Sequence, residues 1–450
     1  MLMTPKLAAS VSCNRSHCAL QPGGGQSASA TAWAVLNLSG NVTGWSELRV
    51  ESREGEDDLT AAFGAGYVEG ALTTVGNWQH LQNYYETTFN TTSDPLYIQS
   101  RRFLEDNDAF MRAGCLSPTA EWHERCLVWA QLDGLIAGHQ AQAATAHAMS
   151  RLDFLFVNAL VDISSIIHKP FAMDDWTAQR AARHTRLTTH CSAIVKLSAD
   201  GQHLWTSHNS ECARVGGKGR RSVRLASLPS PARVACSTPL CAPRPCALHS
   251  RVRLTLYPPA ATAWTGYFTM LRVSKTYALP FGDATARTAL FPGYFGTLSS
   301  LDDFFVLSSG LVVQETTNAL YNLTMAQEIV PRSTLTWVRT ICANRAASDG
   351  ASWVYAFSVN NSGTINNQWM VVDYNKFKPG QPLRDGTLTV LEQWPRLIQS
   401  VDATRWLRVG YWQSFNKPFF AEGFALSGNA AMADRFGLGY SYELKFVYRI

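Results

Sequence analysis

Charge is scarce in this chain: only 16% of its 450 residues are Asp, Glu, Lys or Arg, against 46% hydrophobic. That balance excludes a disordered polyelectrolyte and leaves ample material for a core. Long apolar runs are absent too, so no segment approaches the 18 or so residues that a membrane helix needs. Met1–Ala30 is rich in Ala, Ser and Gly, and its one apolar stretch, Leu7-Ala-Ala-Ser-Val, is too short for the core of a signal peptide. Metal-ligand spacing is missing as well. His139 and His147 lie eight apart where a helical pair needs three or four, and Cys236, Cys241, Cys246 and His249 are separated by Pro-containing gaps. Gly216-Gly-Lys-Gly lacks the spacing and the Ser/Thr of a phosphate loop. The net charge of +5 carries no nucleic-acid signal, because residues 211–263 hold nine Lys/Arg and one acid while the rest holds 30 against 33.

Aromatic residues are plentiful, with 14 Trp and 15 Tyr, which points to a large packed interior or an apolar cleft. Six glycosylation sequons, at Asn14, Asn37, Asn41, Asn90, Asn322 and Asn360, suit an oxidising compartment, where Cys115 and Cys126 can close a small disulfide loop. Along the chain, residues 1–30 read as a low-complexity start. Trp33–Asn37 and Glu47–Glu51 read as strands. Helical periodicity then dominates Leu59–Ile167, in particular Ala61–Leu72, Trp129–Ala148 and Phe154–Ile167. His139 and His147 are expected on one helix as surface or packing residues. After Arg186 the pattern turns to strands mixed with helices, the mark of an α+β layered fold. Residues 211–263, Pro-rich and basic, read as an insertion, because Ser207-His-Asn-Ser joins Trp264-Thr-Gly-Tyr-Phe-Thr-Met-Leu-Arg-Val smoothly without them.

The chemistry is placed on Thr188–Asn209. Cys191 opens a strand, Asp200-Gly201 signals a hairpin turn, and His203–Asn209 is the return strand. Paired positions then sum to 401, so Cys191 faces Ser210 and His208 faces Ala193. Alternation puts Cys191 and His208 on one face as diagonal neighbours, about 7–8 Å apart. A thiol with an imidazole beside it is a nucleophile site, although a small buried hydrophobe at a strand start reads the same way.

His190-Cys-Ser-Ala-Ile-Val-Lys-Leu with Ser207-His-Asn resembles the nucleophile segment of the phospholipase B-like proteins. The likeness extends to Ala65-Gly-Tyr-Val-Glu-Gly-Ala-Leu-Thr, Ala130-Gln-Leu-Asp-Gly-Leu, Ser300-Leu-Asp-Asp-Phe-Phe-Val-Leu and Gln314-Glu-Thr-Thr-Asn. It continues in Asn361-Ser-Gly-Thr-Ile-Asn-Asn-Gln-Trp-Met-Val-Val-Asp-Tyr-Asn-Lys-Phe, Val390-Leu-Glu-Gln and Gly410-Tyr-Trp-Gln-Ser-Phe-Asn. The resemblance implies the four-layer αββα sandwich of the N-terminal nucleophile hydrolases, with residues 31–190 as a propiece-like part and 191–450 bearing the nucleophile. It also implies a lysosomal or secreted, self-processing acyl hydrolase cut between His190 and Cys191, with no metal or cofactor. The new α-amine of Cys191 would act as local base to its own thiol. By motif, His208 orients the site, Thr317 lines it, and Asn416 donates to the developing oxyanion. Asp302 and Asp303 form a carboxylate pair to which the motif gives no role. The expected substrates are phospholipid acyl esters or related acyl amides.

Three departures accompany the resemblance. No signal peptide is evident, residues 211–263 interrupt the motif region, and after Tyr440-Ser-Tyr the family's Pro-Arg is missing, with Arg449 no clear counterpart. The insertion and the missing Arg favour the alternative reading, a catalytically silent secreted or lysosomal glycoprotein that keeps the fold for lipid or protein binding. The intact His190-Cys191 and Ser207-His208-Asn209 favour the enzyme.

Overall fold

The computed structural model describes residues 5–14, 17–89, 91–116, 119–167, 190–211 and 271–437. Beyond Glu211 the expected insertion lies outside the described residues, as do Asn90 and Arg449.

The strands begin with β1 (Lys6–Cys13), β2 (Cys18–Pro22), β3 (Ala32–Asn37) and β4 (Ser46–Ser52). Next come β5 (His190–Leu197), β6 (Leu204–Glu211), β7 (Arg272–Ala278), β8 (Thr288–Tyr294) and β9 (Phe304–Leu307). The chain closes with β10 (Leu311–Thr317), β11 (Asn367–Asp373), β12 (Leu388–Trp394), β13 (Leu397–Asp402) and β14 (Tyr411–Ser414). Eleven of them form one sheet in the order β13-β12-β11-β10-β9-β8-β7-β4-β3-β1-β2, and β14-β5-β6 form a second. The pairing of β4 with β7 is parallel.

One face of the large sheet meets helices. Asp58–Leu72 lies against β1, β3 and β4, and Gly350–Ser358 lies against β11 and β12. The core there runs continuously from Val11, Ala34 and Val50 to Val313, Trp369 and Leu391. The alternate residues of β10–β12, among them Val312, Met370, Val372 and Val390, face the small sheet and close a second core with Ala193, Val195, Leu204 and Trp412. The described residues therefore build an α+β protein of helix, sheet and sheet layers, with Cys191 at an end of the inter-sheet layer.

Local chemistry explains the helices. Asp57 caps Asp58–Leu72 by accepting from the Thr60 amide, and Ser150 and Asp153 form a reciprocal capping box at Arg151–Asn158. Thr60 through Gly70 are all buried, because this helix is sandwiched between the sheet and Ala120–Gln142. Its backbone touches that second helix: a Cβ on Gly66 would stand 1.9 Å from the Gln131 carbonyl oxygen, and one on Gly134 1.9 Å from that of Phe63. Glycine is required at both positions by close approach.

The sequence-based expectations meet several corrections. The helix expected at Trp129–Ala148 starts earlier and ends at Gln142, leaving His147 on a separate turn. His147 is thus not on the helix of His139, although its carbonyl lies 3.0 Å from His139 Nε2. Phe154–Ile167 is two helices, broken at Ala159. The low-complexity start holds β1 and β2, tied by a Cys13–Cys18 disulfide. Its Ala and Ser residues pack as small side chains under Asp58–Leu72, and small residues show little hydrophobic contrast in a sequence. Arg272 and Val273, at the end of the segment that follows the expected insertion, belong to β7 of the large sheet. Cys115 and Cys126 are bridged as expected, with Cα atoms 5.5 Å apart.

Candidate active site

The hairpin register matches the sequence reading. Cys191 pairs with Ser210, Ala193 with His208, and every β5–β6 pair sums to 401. The turn is looser than two residues: the ladder ends at Leu197–Leu204, Ser198 N–H donates to the His203 carbonyl, and Gly201 takes φ 66°. His190 and Cys191, flanking the expected cut, are consecutive members of this regular ladder.

Cys191 is buried and unbridged. Its backbone N–H donates to Asn416 Oδ1 at 2.8 Å, and Asn416 Nδ2 donates to the Thr317 carbonyl at 2.7 Å. Asn416 sits at φ 63°, a left-handed conformation that Asn tolerates better than most residues. Its position is set from behind, where the Thr316 and Ser414 hydroxyls meet at 2.6 Å and pin β14 to β10. One amide thus links the Cys191 strand to the end of β10, and three of the expected residues, Cys191, Asn416 and Thr317, come together. The Asn416 carbonyl oxygen is engaged by the Cys191 N–H. The Thr317 hydroxyl meets the Glu315 carboxylate at 3.4 Å.

His208 is buried and bonds the Glu315 carbonyl through one ring nitrogen. Burial lowers its pKa to about 4, so the ring is neutral, and Nε2 has no partner.

Sequence reasoning assigns no role to Glu315. It lies one step beyond the Gln314–Phe304 pair, where its amide donates to the carbonyl of Asp303, just before β9, at 3.2 Å. The signal was present: an acid two residues beyond the apolar Leu311-Val-Val run. Asp303 adopts φ 50° and is half-buried. Burial raises both acids: Asp303, pushed further by the Glu315 charge, stands well above the usual carboxylate range, and Glu315 rises to about 7 although hydrogen bonds with Asp303 and Thr317 lower it. Behind them, burial raises Asp302 to about 6 while the Tyr294 hydroxyl donates to it at 3.1 Å. Burial first, and then Glu315 and Asp303, push the Cys191 thiol well above its ordinary value; Asn416 and the Thr317 backbone oppose them. The protein therefore holds Cys191 as a thiol.

These shifts set a stability profile. Burial also raises Glu392 to about 7, and Asp162 and Glu124 shift the same way. Each such carboxyl keeps a proton on folding, so its contribution is lost as pH rises from the unfolded value toward the folded one. His80 and His208, both lowered to about 4, and His139 act oppositely, losing stability as pH falls below about 6.5. The carboxyls outnumber the histidines, so thermal unfolding should occur at higher temperature near about pH 6 than near about pH 8. Glu392→Gln should narrow that difference. A midpoint that climbs steadily from pH 6 to pH 8 would contradict it.

No group of three or more His, Cys, Asp or Glu suited to a metal ion occurs among the described residues. No described helix is long and apolar enough to cross a membrane. Of the sequons, Asn14, Asn41 and Asn360 are exposed, whereas the Asn322 amide is engaged at both ends, donating to the Leu426 carbonyl and accepting from Thr324 and Met325.

The chain is similar to known proteins over most of its length. A family profile described as Phospholipase B matches residues 32–214 and 256–448. Phospholipase B-like protein B of Dictyostelium discoideum is 34% identical over 395 residues, 86% of this chain and 59% of that protein. Phospholipase B-like 1 of Bos taurus is 30% identical, over 92% of this chain and 67% of its own length. Phospholipase B of Crotalus adamanteus is 28% identical over the same shares, 92% and 67%. The chain thus spans between 59% and 67% of the length of these relatives. With the profile matching most of the chain and the Cys191 hairpin in its expected register, this chain belongs to the phospholipase B family.

Proposed function

We propose that this protein is a self-processing acyl hydrolase whose nucleophile is Cys191. The observation that carries the reading is the convergence of Cys191, Asn416 and Thr317, residues far apart in sequence, at one end of the inter-sheet layer. In the uncut chain the Cys191 sulfur attacks the His190 carbonyl carbon. The new S–C bond replaces the C–N bond, and the thiol proton ends on the departing nitrogen. Glu315, titrating near neutrality beside the site, is suited to carry that proton. Water then cleaves the thioester, giving a carboxylate at His190 and a free α-amine on Cys191. That amine serves as base to its own thiol in later turnovers. Asn416, already bonded to this nitrogen, keeps the amine oriented, and the neutral His208 ring offers Nε2 as an acceptor within the site.

The substrate class is an acyl ester of a phospholipid or a related acyl amide, in keeping with the names of the relatives. Sequons, two disulfides and the family together support a secreted or lysosomal glycoprotein. The profile's interruption at 215–255 falls inside residues 211–263, which supports reading that stretch as an insertion into a single domain. A thiol alkylator should abolish hydrolysis of either substrate type, and a chelator should leave it unchanged. Activity that survives alkylation, or is lost on chelation, rejects a Cys191 mechanism.

A further inference from the structure

The large sheet carries a second concave site, at the strand ends remote from Cys191. Trp33 on β3 pairs with Glu51 on β4, Glu51 with Ala278 on β7, and Ala278 with Thr288 on β8. Directly paired residues project to one side, so these four form a row across four strands. Their alternates Ala34, Val50 and Tyr277 point into the core under the helices, which leaves the row on the opposite side. The row floors an open cleft of about 660 Å³, a size within the range of small-ligand sites. Gln26–Ala28 before β3, Arg53 and Glu54 after β4, and Arg287 before β8 wall it. Ala289, next to Thr288, pairs with Leu307, where β9 ends and the chain turns into β10. The Asn416 contact with Cys191 lies instead at Thr317, where β10 ends. The cleft is therefore a site apart from the Cys191 end of the sheet.

The lining selects the ligand. Its charged groups are Glu51, Arg53, Glu54 and Arg287, and each is already paired. Arg49 Nε donates to Glu51 at 2.7 Å, Arg287 pairs with Glu54, and Arg53 pairs with Glu56 while donating to the Ala28 carbonyl at 2.6 Å. The lining thus has no net charge, and an anion would have to displace a carboxylate, a cation a guanidinium. Partly exposed as they are, such pairs add little to stability. What they offer is donors and acceptors side by side in fixed places. A hydroxyl both donates and accepts, so neighbouring hydroxyls on a ring match a guanidinium–carboxylate pair without upsetting its charge balance. The half-buried Trp33 indole in the floor supplies an apolar plate for the C–H bonds of such a ring. An acyl chain would satisfy the plate but desolvate the pairs. We infer that this cleft binds a neutral saccharide, with Trp33 against the ring and the Glu51 and Arg287–Glu54 groups bonded to its hydroxyls. A pyranose with every hydroxyl equatorial keeps both faces free for the indole, so a β-glucoside fits this floor. The inference stands independently of the Cys191 reading.

The test titrates the full chain with methyl β-D-glucopyranoside, read by saturation-transfer NMR. Binding should saturate with a Kd of about 1 mM, and the ring C–H protons should take up the saturation. Trp33→Ala should weaken binding at least about tenfold, as truncation of a tryptophan at the centre of a binding site does. Arg287→Ala should weaken it about fivefold, as loss of a hydrogen bond to a charged group implies. Arg287 is exposed, so this variant should unfold at the parent's temperature and keeps the test valid if Trp33→Ala folds poorly. A second arm uses phosphatidylcholine vesicles with and without glucosylceramide. Extra retention on the glucosyl vesicles that Trp33→Ala removes identifies the saccharide as a lipid headgroup, and equal retention identifies it as a soluble sugar. No saturable binding of the glucoside overturns the inference, as does an affinity that neither variant changes. Phosphocholine binding that depends on Trp33, in place of the glucoside, also overturns it, because the cleft would then select charge.

Discussion

Cys191→Ala will leave one uncut chain of 450 residues, whereas the unaltered protein yields fragments 1–190 and 191–450. The reason is atomic. The only sulfur that begins β5 belongs to the residue after the expected cut, and alanine has nothing with which to attack the His190 carbonyl. Hydrolysis of acyl substrates should fall by at least about a thousandfold, as removal of a nucleophile does elsewhere. Asn416→Ala should slow the cut without abolishing it, because the Cys191 N–H then loses its 2.8 Å acceptor. A buried donor left unmatched costs about 1–3 kcal/mol and disorders the nitrogen that must depart. Intact-mass measurement reads both variants. Fragments of the stated size from Cys191→Ala would show that another group, or another protease, makes the cut. His190 and Cys191 lie in a regular ladder and neither has a positive φ, so the cut has to proceed from ordinary strand geometry.

Lys275→Met should destabilise the protein by about 3–5 kcal/mol. Lys275 and Tyr277 are alternate residues of β7, so both point to the helix side of the sheet, where Glu69 on Asp58–Leu72 meets them. Lys275 Nζ lies 2.7 Å from Glu69 Oε1, and the Tyr277 hydroxyl donates to Oε2 at 2.6 Å. Lys275 and Glu69 are both fully buried, and Lys275 also donates to the Thr297 carbonyl. Methionine fills the lysine stem but strands the Glu69 charge in the core, held by one phenol. The cost arises from that stranded charge more than from a lost attraction, so Glu69→Gln in the same chain should restore most of the stability. Urea unfolding of the two single variants and the double decides. A single Lys275→Met as stable as the parent would mean that Glu69 carries no charge in the fold.

What the sequence determined by itself was local. The Asp200-Gly201 signal and strand alternation put Cys191 opposite Ser210, because a short antiparallel hairpin has its register set by its turn. Spacing and compartment made Cys115 and Cys126 partners. Apolar residues located the helix at Asp58–Leu72 but not its full burial, which depends on a second helix whose glycines admit its backbone. At Ala120–Gln142 and Thr145–His147, periodicity blurred past the break at Ala143, because alanine-rich sequence gives little contrast between faces. Tertiary structure decided the rest. Asn416 reaches Cys191 across 225 residues of chain. Asp303 meets Glu315 because β9 and β10 pair. Pairings of that kind arise from packing two sheets and a helical layer around one core, and a linear pattern carries no term for which distant strand ends will meet. The Cys191 hairpin and its register were therefore legible in the chain, while the carboxyls near Cys191 became visible only in the fold.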